Sequence, residues 1–432
     1  LAARARLVLT YVGQSIRDNT PQPASVVLEE LLDVLGEMCA PPGQTDALGP
    51  DAIRERLVAR HPLQAYSTEY FQPSRPAALV SFDQASYRAA LAAAATDAPE
   101  PSLLQAPLVP PAVEELAVER LAKFVEHPVR SFLENQLGWV PAAPAGGLEQ
   151  REPAALAGLE QWRVGTQLND AAMAEQPEPQ RYAALRARGW LPWGRVGEQA
   201  FEVLNERAEA LVETFGDADA HALPPLEIDA RLAGIRLVGL VRPIGQTEYA
   251  TLTFSKVRAE RLLRLWVYHL LLNWRAPTGY PRQSRLVGRD EKTGEACSHV
   301  LKPVLRPEVH LRELLELYHE GQRYPLPLPP NSGLAYARAR FGGSPAAKKS
   351  PLQQARECFE GNKQHPGEGQ RDAYLALALA GESPFEPDGR PFANALSGCV
   401  EPAPASFASL AERVWQPLWE HWECIGRRGG AP

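Results

Sequence analysis

The segment covering residues 226–256 constrains the fold most, because its hydrophobic pattern predicts three short strands in succession. Apolar and polar residues alternate in 226–232 and 235–241, and a third run rich in Tyr and Thr occupies 249–255. Gly and Pro residues separate these runs. The apolar residues of 257–274 then recur with a helical period. We therefore predict the local order strand, strand, strand, helix, with the three strands forming one meander.

Metal-dependent nucleases of the Asp, Glu-x-Lys type have the same order of elements, and their carboxylates hold Mg²⁺ against the scissile phosphate. The segment ending at Arg242 reads Gly-Leu-Val-Arg and resembles their Gly-x-x-Asp motif, with Arg242 at the aspartate position. Thr253, Phe254 and Ser255 stand where an acid-x-Lys triplet is expected, and Lys256 follows as a displaced lysine. Because a cation repels a metal ion, the pattern predicts a nuclease frame without its chemistry. A meander unrelated to nucleases is the alternative.

Composition limits the classes of partner. The 432 residues suffice for two or three domains, and the net charge of −7 with a pI near 5.8 excludes a surface that is basic throughout. Any contact with DNA must therefore be local. No signal peptide and no apolar run of membrane-spanning length is evident, so we predict a cytoplasmic protein without a membrane partner or small-molecule substrate.

The cysteines do not predict a cofactor. Their positions show no paired short spacing of the kind that binds zinc or an iron–sulfur cluster. We interpret them as free thiols and predict no metal and no cofactor. The five positions are Cys39, Cys297, Cys358, Cys399 and Cys424.

The beginning of the chain predicts a buried strand at 6–12, followed by a helix capped near Ser25 that continues through Leu35. A single apolar strand is not stable without neighbours. The sequence also starts without methionine. We therefore expect a fragment of a longer protein, with this strand belonging to a sheet formed elsewhere.

Six segments together carry a specific resemblance. They are LVLTYVGQSIRDNTPQPASVVLEELLDVLG at the start, FVEHPVRSFLENQLG at 124–138, LEQWRVGTQLN at 159–169, and then RLWVYHLLLNW, LPLPPNSG and FEGNKQHPGEGQRDAYLAL. In this order they resemble the C-terminal third of the RecC family, the gamma subunits of the RecBCD helicase–nuclease, exodeoxyribonuclease V.

The resemblance implies an inactive helicase joined to an inactive nuclease. The LVLTYVGQSI stretch is similar to the helicase strand and loop that end in an arginine contacting the ATP γ-phosphate, a group that stabilises phosphoryl transfer. Gln14 or Ile16 occupies that position, and Arg17 lies just beyond it. No Gly-rich loop ending in Gly-Lys-Ser/Thr is present in the sequence. No ATP site of that type is therefore predicted.

The fold class implied is α/β (α+β), in two domains. Residues 1–110 are expected to be the remnant of a RecA-like helicase domain, and 111–432 an inactive nuclease-like domain with a restriction-endonuclease-like core. Around its strands we predict helices near 113–137, 197–215, 257–274, 309–322, 351–361 and 405–424, with RYPLPLPPNSG as a loop.

The histidines favour structural roles. His127 stands at the cysteine position of a Cys-Pro-Phe-x-x-Phe helix found in related nucleases, and we predict that it enters the helix opened by Pro128 and binds backbone. The buried stripe of that helix is predicted at Phe132, Leu133 and Leu137. His269 is predicted to be a satisfied core residue.

The family implies RecB and RecD as partners, contacts with forked and single-stranded DNA, and support for Chi scanning. Cations and one aromatic residue are candidates for phosphate and base contact. They are Arg130, Arg242, Tyr280, Arg282, Arg285, Lys348 and Lys349. No catalytic residue is predicted.

Two other functions stay open from the sequence. The first is an active nuclease whose Mg²⁺ site is assembled from Glu227 and Asp229, which point to one face of a strand, or from Glu248. The second is a purely protein-binding role without any DNA contact.

Overall fold

The computed structural model describes residues 7–15, 20–40, 49–94, 103–104, 107–141, 155–216, 222–343, 349–362, 364–379, 383–385 and 406–426. The chain forms two compact units, Leu1–Glu100 and Pro101–Pro432. Helices and mixed sheets are both present, so the predicted α/β character is confirmed. Among the described residues no helix has the length and apolar character needed to cross a membrane.

The first unit is helical where it is described. Its elements are α1 Val26–Met38, α2 Pro50–Leu57, a 3₁₀ helix Thr68–Tyr70 and α3 Gln84–Ala94. Helices α1 and α2 meet at Gly36, where a Cβ atom would lie 2.6 Å from the Pro50 nitrogen. Arg54 on α2 then pairs with Glu29 on α1 at 2.9 Å. Close approach and this ion pair together join α1 to α2.

The predicted strand at the start of the chain is wrong over the residues that the structure describes. Residues 7–13 have no regular structure, and Val8 and Val12 are 67% and 70% exposed. The reason is that no strand among the described residues of this unit pairs with the segment, and an unpaired strand lacks the ladder hydrogen bonds that stabilise it. The helix predicted after Ser25 is confirmed as α1.

The second unit contains all the named strands and most of the helices. In chain order these are β1 Glu115–Ala117, α4 Val118–Glu126, α5 Pro128–Asn135, α6 Gly158–Met173, α7 Glu178–Ala187, α8 Arg195–Phe215, β2 Leu226–Leu232, β3 Ile235–Val241, β4 Tyr249–Lys256, α9 Ala259–Arg275, β5 Ser284–Arg289, β6 Ala296–Leu301, α10 Pro307–Gly321, α11 Pro330–Phe341, α12 Pro351–Glu360, α13 Glu368–Arg371, α14 Ala373–Leu379, α15 Phe407–His421 and β7 Trp422–Gly426.

The strands form two sheets rather than one. The three-stranded sheet has the order β1-β3-β2, with β1 parallel and β2 antiparallel to β3. The four-stranded sheet has the order β4-β5-β6-β7, in which β4 and β5 are parallel and the other pairs antiparallel.

The predicted meander is therefore wrong, although all three of its strands exist. β2 and β3 form a hairpin, but β4 pairs with β5 in the other sheet. Pro243 lacks the N–H that a continued ladder needs. Ile244 instead forms a bridge with Leu223, and the Gly245 N–H donates to the Glu248 carbonyl. This turn carries the chain out of the first sheet before β4 begins.

Helix α9 lies at the centre of the second unit. Twelve of its seventeen residues are buried, including Trp266 and His269. A helix that is apolar nearly all round must be enclosed by other elements. Elements of both sheets, together with α4, α10 and α11, contact it. The helical period predicted for 257–274 is confirmed, and its breadth explains why so many elements surround it.

The four-stranded sheet is covered on both faces. Ala250 and Phe254 of β4 join the core formed with α6 and α8, whereas Tyr249 joins the core that contains α9. Successive residues of a strand point to opposite faces, so both of the faces of β4 are occupied. Gly165 of α6 provides the closest approach, since a Cβ atom there would lie 2.2 Å from the Phe254 ring.

Other boundaries differ from the predictions at particular residues. The helix predicted near 113–137 consists of β1, α4 and α5, with the break at His127, because the residue before a proline is disfavoured in helical conformation. Helix α11 begins at Pro330, inside the predicted RYPLPLPPNSG loop. The helix predicted at 405–424 ends at His421 and continues as β7. Leu137, predicted to be buried, is 38% exposed.

Replacing Gly165 with alanine should destabilise the second unit by about 1–3 kcal/mol, because the added methyl group overlaps the Phe254 ring. Gly158→Ala is the matched control on the same helix, since no atom lies within 4 Å of its Cβ position. Urea unfolding of both variants measures the difference. Equal free energies of unfolding for the two variants would contradict the proposed contact.

Candidate nucleic-acid interface

Glu227, Asp229 and Glu248, the acids considered for a metal site, do not form one cluster. Asp229 and Glu248 each pair with an arginine, and these two arginines lie in different sheets. Glu227 and Asp229 are on the exposed face of β2. Asp229 accepts two hydrogen bonds from Arg236, at 2.8 and 2.7 Å, and these bonds lower the pKa of its carboxyl. Arg236 also donates to Glu115 at 2.9 Å. Asp229 is thus held as part of a surface ion-pair network.

Glu248 lies in a different place, directly before β4 of the four-stranded sheet. It is buried and accepts a hydrogen bond of 2.8 Å from Arg285, which also donates to the carbonyls of Thr214 and Phe215. Arg285 therefore ties the end of α8 to this sheet. In the part of the chain that the structure describes, no three His, Cys, Asp or Glu side chains are arranged to hold a metal ion.

Thr253 and Ser255, which stand where the nuclease pattern has its acid-x-Lys triplet, lie on an irregular part of β4. The register with β5 shifts between Leu252 and Lys256, so Thr253 and Ser255 fall within a bulge. The Ser255 N–H donates to Thr253 Oγ1 at 3.2 Å, and Arg289 donates to the Phe254 carbonyl. A bulge of this kind redirects side chains from the regular pleat. These two hydroxyl residues therefore lie in a different sheet from β3.

Arg242 and Tyr280 lie beside the same short segment and form what we call the Arg242–Tyr280 corner. Arg242 follows β3 directly and is exposed. The Leu223–Ile244 bridge places the segment before β2 alongside it. Tyr280 donates its hydroxyl to the carbonyl of Pro224 in that segment, at 3.1 Å, and is half-buried. A cation and an aromatic ring thus share one edge of the molecule.

The remaining candidates for DNA contact are engaged within the fold where they are described. Arg282 donates to the carbonyls of Leu272, Asn273 and Ala276, which closes the C-terminal end of α9. Lys349 pairs with Glu357 at 2.7 Å. Lys348 lies outside the described residues. DNA binding by these side chains stays a prediction.

Of the residues predicted to replace the arginine that contacts the ATP γ-phosphate, the structure describes Gln14. Gln14 forms an isolated bridge with Pro21 in the first unit. Ile16 and Arg17 lie outside the described residues. What this loop contacts in a larger assembly stays a prediction.

Two of the quoted sequence segments meet in what we call the signature hub, formed by His127, Arg130, Glu134, Asp372 and Tyr374. His127 accepts the Arg130 N–H at its Nδ1 and contacts Asp372 through Nε2 at 3.0 Å. The predicted helix-entry role of His127 is confirmed. Glu134 accepts hydrogen bonds from Arg130 and from the Tyr374 hydroxyl, and the Arg130 guanidinium lies 5.3 Å from the Tyr374 ring centre.

A second carboxylate joins the same C-terminal segment to LPLPPNSG. Glu368 is buried and accepts from the N–H groups of Asn331 and Ser332 and from the Ser332 hydroxyl. It therefore caps the first turn of α11 from outside that helix. Burial raises the pKa of Glu368, although these donors oppose the shift.

The roles of Asp372 and Glu368 were not predicted. Asp372 precedes α14 and accepts from the backbone N–H groups of Tyr374 and Leu375, which is a helix-capping arrangement recognisable in the sequence. Nothing in the local pattern of GEGQ indicates that Glu368 reaches a helix more than thirty residues earlier.

His269 is buried, as predicted. Its Nε2 lies 3.0 Å from the Lys302 carbonyl, and its Nδ1 lies 2.8 Å from the Ser284 hydroxyl. Burial lowers its pKa to about 3. This histidine therefore links α9 to β5 and to the residue after β6 while remaining neutral.

Comparison with known proteins assigns most of the second unit's described core to a known family. Residues 113–341, more than half of the chain, match the family described as the RecC C-terminal domain. The chain is 30% identical over 430 residues to RecBCD enzyme subunit RecC of Mycobacterium tuberculosis CDC 1551. This alignment covers 96% of this chain and 36% of that protein. RecBCD enzyme subunit RecC of Mycolicibacterium smegmatis is 30% identical, over 81% of this chain and 31% of that protein. The RecC subunit of Escherichia coli K12 is 27% identical, over 87% of this chain and 33% of that protein. The chain thus spans about a third of the length of these relatives.

Asp372→Asn should destabilise the second unit by about 1–3 kcal/mol at neutral pH, because His127 loses a carboxylate partner while asparagine retains the helix cap. Burial works against ionisation of Asp372, but bonds from His127 and the backbone outweigh it and lower its pKa. The stabilisation is therefore present above the ordinary aspartate pKa and is lost as the pH falls through the lowered value. Urea unfolding at several pH values should show the two proteins converging below about pH 4. A constant difference across that range would contradict this role.

Proposed function

This chain belongs to the RecC family, and from that premise we propose that it is a non-catalytic part of a RecBCD-type helicase–nuclease acting in double-strand-break repair. It contacts the split DNA fork, guides the single strands, supports Chi scanning and docks the RecB and RecD subunits in the cytoplasm. Family membership and the order of the matched segments support this assignment.

The finer fold assignment belongs to the same proposal. The second unit is taken as an inactive nuclease domain with a restriction-endonuclease-like core, and residues 1–110 as the remnant of a RecA-like helicase domain. The hairpin of β2 and β3 followed by β4 and α9 supports the nuclease ancestry, since it retains the order of elements although β4 lies in the other sheet.

The absence of cleavage by this chain is supported by the separation of its acids. Asp229 is bound to Arg236 on the three-stranded sheet, whereas Glu248 is bound to Arg285 beside the four-stranded sheet. A Mg²⁺ site needs several carboxylate or carbonyl oxygens around one point. Creating such a site would break one of these ion pairs.

The single observation that carries the DNA-binding role is the Arg242–Tyr280 corner. Arg242 is exposed, whereas Arg282 and Arg285 donate to carbonyls of the fold. An exposed guanidinium attracts phosphate, and an aromatic ring nearby stacks on an unpaired base. Where a nuclease holds a metal that neutralises phosphate, this chain offers a cation that meets phosphate directly.

Arg242→Gln should weaken binding of the chain to a forked DNA about threefold to tenfold at low salt and reduce the slope of log K against log salt by about one. Fluorescence anisotropy with a labelled fork at several salt concentrations provides the measurement. Arg312→Gln, an exposed arginine on α10, is the matched control. Tyr280→Ala should weaken binding with little change in that slope, because it removes stacking rather than charge. Equal effects of Arg242→Gln and Arg312→Gln would refute the corner as the contact.

The chain should not degrade linear duplex DNA in the presence of Mg²⁺ or Mn²⁺. The measurement is gel analysis of a labelled duplex incubated with the purified chain over several hours. Cleavage that is abolished by Glu227→Ala would show an active nuclease site on β2 and would overturn the non-catalytic assignment.

A further inference from the structure

Strands β6 and β7 bring together two cysteines and a histidine that are far apart in the sequence. Cys297 and His299 are two residues apart on β6 and therefore point to the same face. The register of the antiparallel pair places Cys424 of β7 opposite His299, and Cys297 one diagonal step away. Cys297 Sγ lies 3.4 Å from His299 Nε2.

The orientation of His299 favours a thiolate beside it. Its ring stacks on Trp422 with centres 5.6 Å apart, and its Nδ1 accepts the Trp422 indole N–H at 3.2 Å. Because Nδ1 is an acceptor, the proton of the neutral ring is on Nε2, which faces the sulfur of Cys297. The neighbouring Cys297 and His299 side chains lower the pKa of the Cys424 thiol.

The two thiols differ in their access to solvent. Cys297 is 3% exposed, whereas Cys424 is half-buried on β7, the last strand of its sheet. A thiolate that solvent reaches reacts first with an oxidant, and a neighbouring protected thiol then completes a disulfide. The arrangement therefore supplies one attacking thiol and one resolving thiol.

We propose that Cys424 and Cys297 form a peroxide-modified site that closes as a reversible disulfide. The Cys424 thiolate attacks one oxygen of hydrogen peroxide, the O–O bond breaks, and Cys424 sulfenic acid and hydroxide are formed. The sulfur of Cys297 then attacks the Cys424 sulfur, so that an S–S bond forms and the S–O bond breaks. The leaving hydroxide and the thiol proton of Cys297 combine as water, and the two sulfurs together transfer two electrons to the peroxide.

The geometry permits this closure with a small movement. Diagonal positions on paired strands lie roughly 7–8 Å apart at Cα, whereas a disulfide needs at most about 6.8 Å. β7 is paired only with β6 among the described strands, so it can move toward that neighbour. Helix α15 continues directly into β7. The disulfide would therefore fix the end of this helix to the sheet independently of the proposed DNA-binding role.

The test treats the full reduced chain with hydrogen peroxide, blocks free thiols and identifies linked peptides by mass spectrometry under non-reducing conditions. We expect a Cys297–Cys424 link that dithiothreitol reverses. In Cys297→Ser, Cys424 should accumulate as a sulfenic acid that dimedone labels, and Cys424→Ser should leave Cys297 unmodified. Cys39 and Cys358 are internal controls and should stay reduced at the same dose. A link from Cys424 to Cys399 or to a second chain, or equal oxidation of Cys39, would overturn the proposal.

A second measurement examines the role of His299 without relying on the disulfide. Alkylation of Cys424 by iodoacetamide at pH 7 should be at least about tenfold faster than that of Cys39, because the thiolate fraction changes tenfold per pKa unit. His299→Gln should slow Cys424 and leave Cys39 unchanged. If His299→Gln slows both cysteines alike, or neither, the histidine does not position the thiolate and the proposal is wrong.

Discussion

The enclosure of α9 is the constraint on which the rest of the second unit depends. Twelve of the seventeen residues of α9 are buried, including every residue from Leu265 to Asn273, so one covering layer is insufficient and elements of both sheets surround it. Its polar groups are satisfied at the same time. His269 and Asn273 bind carbonyl or hydroxyl groups next to β5 and β6, and Arg282 closes the C-terminal end. These bonds fix the position of β5. Strand β4 then pairs with β5 and not with the β2–β3 hairpin.

Four carboxylates of this unit stabilise the fold through ion pairs and hydrogen bonds. Asp229 and Glu248 bind arginines, whereas Asp372 and Glu368 satisfy the first turns of helices. A buried charge left without such donors costs several kcal/mol, so the buried acids Glu248 and Glu368 are not free to change partners. The arginines differ in the same way. Arg282 and Arg285 donate hydrogen bonds to backbone carbonyls of the fold, whereas Arg242 is exposed at the end of β3.

The parts of the fold that the sequence predicts are those governed by local period. Helices α8, α9, α10 and α12 and the β2–β3 hairpin follow from apolar spacing and from Gly and Pro positions. The strand at the start of the chain failed because an apolar run does not contain its own pairing partner. Strands β5, β6 and β7 were missed because they are short and their inward faces include Ser298, His299 and Cys424, which do not form an apolar pattern.

The sequence by itself determined that residues 257–274 would form a helix with a broad apolar stripe, that β2 and β3 would pair, and that no acid would stand at position 242. Only the tertiary structure decided that β4 joins another sheet, that His127 meets Asp372, and that Cys297 approaches Cys424. The physical reason is distance along the chain. Periodicity indicates which face of an element is buried, but contacts between residues that are far apart in the sequence depend on how whole elements pack.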